Sequence, residues 1–72
     1  MQTFTDFIRS RRVTDTPRGD FIEDTKGLIR LNRFPDPKSL PALEWFMVRR
    51  HACKEAITEA RKLWREYERK AA

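Results

Sequence analysis

The sequence predicts a small all-α bundle of four to five helices that closes on a long C-terminal helix, and three observations carry that prediction. Apolar residues recur at i, i+3, i+4 spacing in four separate stretches. No stretch shows the period-two alternation of a strand. Three of the four helical stretches open on a recognisable capping signal.

The last stretch, Cys53 to Lys70, is the most regular. Ala56, Ile57, Ala60, Leu63, Trp64 and Tyr67 fall on one arc of roughly 120°, as in a helix with one buried stripe. Its other faces sort by sign. Lys54, Arg61, Arg65 and Arg69 line one edge, and Glu55, Glu59 and Glu66 line another. This helix is expected to dock its stripe on the rest of the chain.

Taken in order, Thr3 and Asp6 have capping-box spacing, and Phe4, Phe7 and Ile8 share a face, which places a first short helix from Phe4 to Arg11. Thr16 as N-cap with Pro17 at the first helical position starts a second, because proline lacks the amide hydrogen that the first turn leaves unpaired anyway. Phe21, Ile22, Thr25, Leu28 and Ile29 form its apolar face, and its end is expected near Leu31. Gly27 lies off that face, where it weakens the helix by about 1 kcal/mol relative to alanine or ends it early.

Pro35 and Pro37 make residues 32–40 a loop, because residues before proline avoid the helical region, and Phe34 is expected to anchor it. Ser39 caps a third helix to Arg50, with Leu43, Phe46 and Met47 facing inward. Trp45 and Val48 point elsewhere. Either this helix is central and buried on two sides, or Trp45 is exposed; large aromatics are mostly interior, so the buried arrangement is the favoured expectation.

A chain of 72 residues makes one domain, 1–72, and buries only about 60% of its unfolded surface, so its stability is limited to several kcal/mol. Five Phe, two Trp and one Tyr are enough to build a core despite 38% charged residues. The net charge is +5. Residues 1–36 hold seven basic and six acidic groups and residues 37–72 nine and five, so the surplus is C-terminal. That balance favours encounter with an acidic partner. No apolar run approaches a membrane span and no signal-type segment opens the chain, so a cytoplasmic protein without a membrane partner is expected.

With the helices placed, the chain resembles the YozE-like family of short bacterial proteins. The matching pieces are Phe4, Phe7 and Ile8; then Gly19-Asp20-Phe21-Ile22 with Asp24; then Phe34-Pro35; and finally Ala52-Cys53-Lys54-Glu55-Ala56 leading to Trp64 and Tyr67. They occur in family order over nearly the whole chain. The interval from Asp24 to Phe34 is longer than in the family pattern, so the second helix or its loop differs here. The resemblance implies a bundle similar to the sterile alpha motif (SAM) domain, and it implies no catalytic residue.

Chemistry in the residues themselves is sparse. One cysteine and one histidine are too few soft ligands for a zinc site, and no metal or other cofactor is expected. His51 and Cys53, the one pair that could begin a nucleophilic arrangement, diverge by about 200° on a continuous helix. Cys53 reads as a small buried residue at the start of the last helix, and His51 as a helix C-terminal cation. No Gly-rich phosphate loop or HExxH pattern is present, and the chain is read as no enzyme.

The basic stripe is the sharper feature. Lys62 can pair with Glu59 or Glu66, and Lys70 with Glu66, which leaves Lys54, Arg61, Arg65 and Arg69 less compensated over about 22 Å of helix. Arg9, Arg11, Arg12 and Arg18 form a second cluster, expected to merge with the stripe if the last helix packs across them. A DNA or RNA binder that holds phosphates through these residues is the first functional expectation. The alternative is a protein-interaction module of SAM type, with Trp45 and Arg49 as a candidate interface toward an acidic protein or a second copy. Inhibition of a host protein by a mobile-element protein belongs to the same class. A monomer is favoured.

Overall fold

Each of the first three helices begins where its capping chemistry directs. The computed structural model describes residues 2–71, and among them it shows four helices and no strand: α1 (Phe4–Arg9), α2 (Pro17–Arg30), α3 (Leu40–Arg49) and α4 (Lys54–Ala71). Thr3 Oγ1 accepts the Asp6 N–H at 3.1 Å and the Asp6 carboxylate accepts the Thr3 N–H at 3.4 Å, closing the capping box. Thr16 Oγ1 accepts from the Gly19 N–H at 3.0 Å, and Ser39 Oγ from the Ala42 N–H at 3.3 Å.

The helix ends are made differently from what glycine placement would predict. Asn32 stands in the left-handed region at φ 58°. There the Arg33 N–H reaches the Leu28 carbonyl at 2.8 Å, and the Asn32 N–H reaches Ile29 at 3.0 Å. These are the two bonds of a Schellman cap, with asparagine where glycine is usual. His51 repeats the arrangement at φ 58° after α3, with Ala52 N–H to the Met47 carbonyl at 3.0 Å and His51 N–H to Val48 at 3.0 Å. His51 is therefore a chain-reversing residue just past the helix rather than a cation in its last turn. α2 runs straight through Gly27. α1 stops at Arg9, two residues short of the expected Arg11, where the Ser10 hydroxyl donates to the Phe7 carbonyl at 2.7 Å.

α4 is the axis of the bundle and packs on α1, α2 and α3. Its Ala60, Leu63 and Trp64 are fully buried against Phe4, Phe7, Ile8, Phe21, Ile22, Leu43 and Met47. An aromatic cluster closes one end. The Phe4 ring lies 4.8 Å from Trp64 and 5.5 Å from Tyr67, and Phe34 sits edge-on to Phe46 at 5.5 Å, which anchors the proline-containing loop as expected. Asp36 ties the same loop to α1 by accepting the Thr5 hydroxyl at 2.7 Å.

Gly19 is set by packing. It is buried in the first turn of α2, and a Cβ there would lie 1.8 Å from the Thr14 carbonyl oxygen. Only glycine admits residue 14 so close to the helix.

Two expectations are corrected. Trp45 is 64% exposed, not buried, because α3 packs on α4 alone among the helices and its far side stays open. Cys53 is also exposed: it caps α4, its carbonyl accepting the Ile57 N–H at 3.1 Å, with its side chain outside the core.

Candidate nucleic-acid interface

The charges of α4 are sorted by what packs beside them. On the edge facing α2, Arg18 reaches across to two carboxylates: its Nε lies 3.7 Å from Glu59 and its Nη2 pairs closely with Glu66. Those acids are largely shielded, at 15% and 23% side-chain exposure. The Arg18 hydrogen bond holds the Glu66 carboxyl below its ordinary value, against the opposing effect of burial, with Arg69 and Arg11 adding to the depression. Lys62 still meets Glu59 at 3.4 Å, as helical spacing allows, whereas Glu66 is claimed by Arg18 instead of a lysine of its own helix.

On the opposite edge the stripe is solvent-facing. Lys54, Arg65 and Arg69 are exposed and, among the described residues, enter no ion pair within 4.0 Å. Arg61 departs from the expectation of a free cation. Its guanidinium donates to Glu44 of α3 at 3.2 Å, and both side chains remain partly exposed.

The second cluster divides. Arg18 does meet α4, so the two basic groups merge at a shallow depression of about 530 Å³ lined by Arg18, Lys62, Arg65 and Arg69 with Glu66 and Glu68. Arg18 is nevertheless committed to the fold, as an internal counter-ion. Arg11 is packed as well: its guanidinium lies 4.7 Å over the Phe7 ring, its Nε is buried with no hydrogen-bond partner, and its carbonyl accepts from Lys26. Arg9 leans on Asp6 at 3.9 Å, and Arg12 is exposed. Of the eight basic residues singled out from the sequence, Lys54, Arg61, Arg65, Arg69, Arg9 and Arg12 keep their charge at the surface.

Beside this edge stands an exposed apolar stripe on α3. Trp45 and Val48 are 64% and 56% exposed, one turn apart, and the Arg49 guanidinium lies 5.9 Å from the Trp45 ring centroid. The Arg61–Glu44 pair joins α3 to the basic edge one residue before Trp45. Exposure of this ring is what the sequence failed to signal, since its helical phase was legible but the absence of a covering helix was not.

Among the described residues, no group of three His, Cys, Asp or Glu side chains lies close enough to hold a metal ion, and no helix is long and apolar enough to cross a membrane. Compared with protein-family models, curated proteins and solved structures, the chain matches none.

Proposed function

We propose that the protein is a non-enzymatic nucleic-acid-binding module that contacts phosphates along the Lys54–Arg69 edge of α4. One observation carries the reading: Arg18 draws Glu59 and Glu66 toward α2, so two of the four acids of α4 are used inside the bundle, while Lys54, Arg65 and Arg69 stay exposed and, among the described residues, without an ion pair. That edge extends about 22 Å, enough to follow several phosphates.

The test is fluorescence anisotropy with labelled duplex DNA, single-stranded DNA and RNA. Three to four phosphate contacts on a duplex predict that affinity falls roughly 40- to 150-fold between about 50 and 200 mM salt. The double variant Arg65→Gln/Arg69→Gln should flatten the log–log salt slope by about 2 with little change in melting temperature, because both side chains are exposed and, among the described residues, neither forms an ion pair within 4.0 Å. Absence of binding at micromolar protein in low salt, or binding insensitive to salt, would remove this reading.

A second reading is favoured by the exposed Trp45, Val48 and Arg49 stripe, which fits a protein interface toward an acidic partner or a second copy. Sedimentation of the pure protein beside Trp45→Ala separates self-association from both other readings.

A further inference from the structure

Away from the basic edge, α2, α3, the proline-containing loop and the start of α4 enclose a half-open cleft of about 400 Å³. Its volume falls in the range of small-molecule sites. The floor is apolar, made by Phe21, Leu28, Phe46 and Met47. The rim has the opposite charge from the rest of the molecule: Asp20, Asp24 and Glu55 stand there against a single Arg50, in a chain of net charge +5. Arg50 is itself turned onto the wall, with its guanidinium 5.6 Å from the Phe46 ring centroid. Among the described residues the three carboxylates make no ion pair. Cys53, exposed, lies at the mouth.

We propose that this cleft binds a small amphipathic organic cation: a free molecule whose aromatic or branched body rests on Phe21, Phe46 and Met47 while a protonated amine meets Asp20, Asp24 and Glu55. The apolar floor supplies the burial, and the partly exposed Phe34 and Phe46 rings offer an aromatic wall to the body. The carboxylates select the sign of the charge, since an anion of the same shape would meet like charge at the rim. The inference is independent of nucleic-acid binding, because it uses no residue of the Lys54–Arg69 edge.

The probes are tryptamine, indole-3-propionate and spermidine, which carry an apolar body with a cation, the same body with an anion, and cationic charge without the body. Titrated into the ¹⁵N-labelled protein by ¹H–¹⁵N NMR, tryptamine is expected to shift amides around Phe21, Leu28 and Phe46. Indole-3-propionate and spermidine should bind at least about tenfold more weakly. Asp24→Asn/Glu55→Gln, two exposed positions whose loss leaves the core intact, should weaken tryptamine about tenfold and narrow its preference over indole-3-propionate, as the loss of two exposed charge contacts allows. Tryptamine should also slow modification of Cys53 by a thiol reagent. Equal binding of the two indoles, or shifts scattered outside the cleft, would overturn the proposal. Binding of a lysine-flanked amphipathic peptide without binding of tryptamine would also overturn it, assigning the cleft to a protein partner.

Discussion

The edge of α4 that faces α2 and the edge that carries Lys54, Arg61, Arg65 and Arg69 are both rich in charge, yet they have opposite fates in the folded chain. On the first, Arg18 brings one cation to two acids, and Glu59 and Glu66 become part of the packing. On the second, Lys54, Arg65 and Arg69 are exposed and, among the described residues, form no ion pair within 4.0 Å, and Arg61 meets one partly exposed acid. Helical spacing alone treats the edges alike. The neighbouring helix decides which charges stabilise the fold and which stay available for a partner.

The largest expected effect breaks the first edge at its foundation. Gly19→Ala places a Cβ at 1.8 Å from the Thr14 carbonyl oxygen, so the backbone leading into α2 must move, and Arg18 beside it moves too. The cost should exceed the 1–3 kcal/mol of ordinary overpacking, at about 3 kcal/mol or more, seen as a fall of more than about 12 °C in the melting temperature by circular dichroism. Gly27→Ala is the matched control. Nothing lies within 4 Å of its added Cβ, so the same change on the same helix should raise stability by about 1 kcal/mol. If both variants behaved alike, the close approach at residue 14 would not be what positions Arg18.

A smaller effect removes the pinning contact itself. Arg18→Ala leaves Glu59 and Glu66 shielded without their counter-ion and should cost about 1–2 kcal/mol in chemical denaturation. The same edge has a pH signature. Glu66 is held below its ordinary 4.5, mainly by the Arg18 hydrogen bond. Burial raises Asp36, but hydrogen bonds from Thr5 and Lys38 outweigh it and hold that carboxyl below 3.8. A group with a depressed folded value contributes stability above its unfolded value and loses it as pH falls through the folded one. Stability should therefore decline as pH drops below about 4.5, and Glu66→Gln should reduce that decline. An unchanged acid profile in Glu66→Gln would place the pH dependence elsewhere.

These contrasts also mark where the sequence is readable. Thr3, Thr16, Pro17 and Ser39 announce helix starts through local hydrogen bonds, and the stripe from Ala56 to Tyr67 announces the docking face, because both depend on neighbours within a turn or two. The helix ends at Asn32 and His51 are harder to see, since neither carries the glycine that usually marks a left-handed cap. The Arg18 bridges join residues 41 and 48 positions apart, and no local pattern encodes them. Trp45 was misjudged for a related reason: average burial of tryptophan says nothing about whether a fourth helix will cover the far side of α3. The basic edge was legible as a pattern, but the commitment of Arg18 and Arg11 to the fold was not.

The smallest expected effect sharpens the second edge. Arg61 is its one side chain with a partner, and the Glu44 contact at 3.2 Å joins side chains that are 50% and 32% exposed. An ion pair in that setting contributes little, so Glu44→Gln should change stability by no more than about 0.5 kcal/mol. Its consequence for binding is larger than for folding, because it removes an acid from beside the stripe and releases Arg61 to a phosphate. If the edge is a phosphate-contacting surface, Glu44→Gln should tighten nucleic-acid binding and steepen the log–log salt slope by about 1 in anisotropy. Arg61→Glu would set two carboxylates face to face and mix a folding effect into the readout, so the variant on α3 is the cleaner probe. A Glu44→Gln protein that binds no better than the parent, at equal stability, would show that Arg61 lies outside the contacting surface and confine it to Lys54, Arg65 and Arg69.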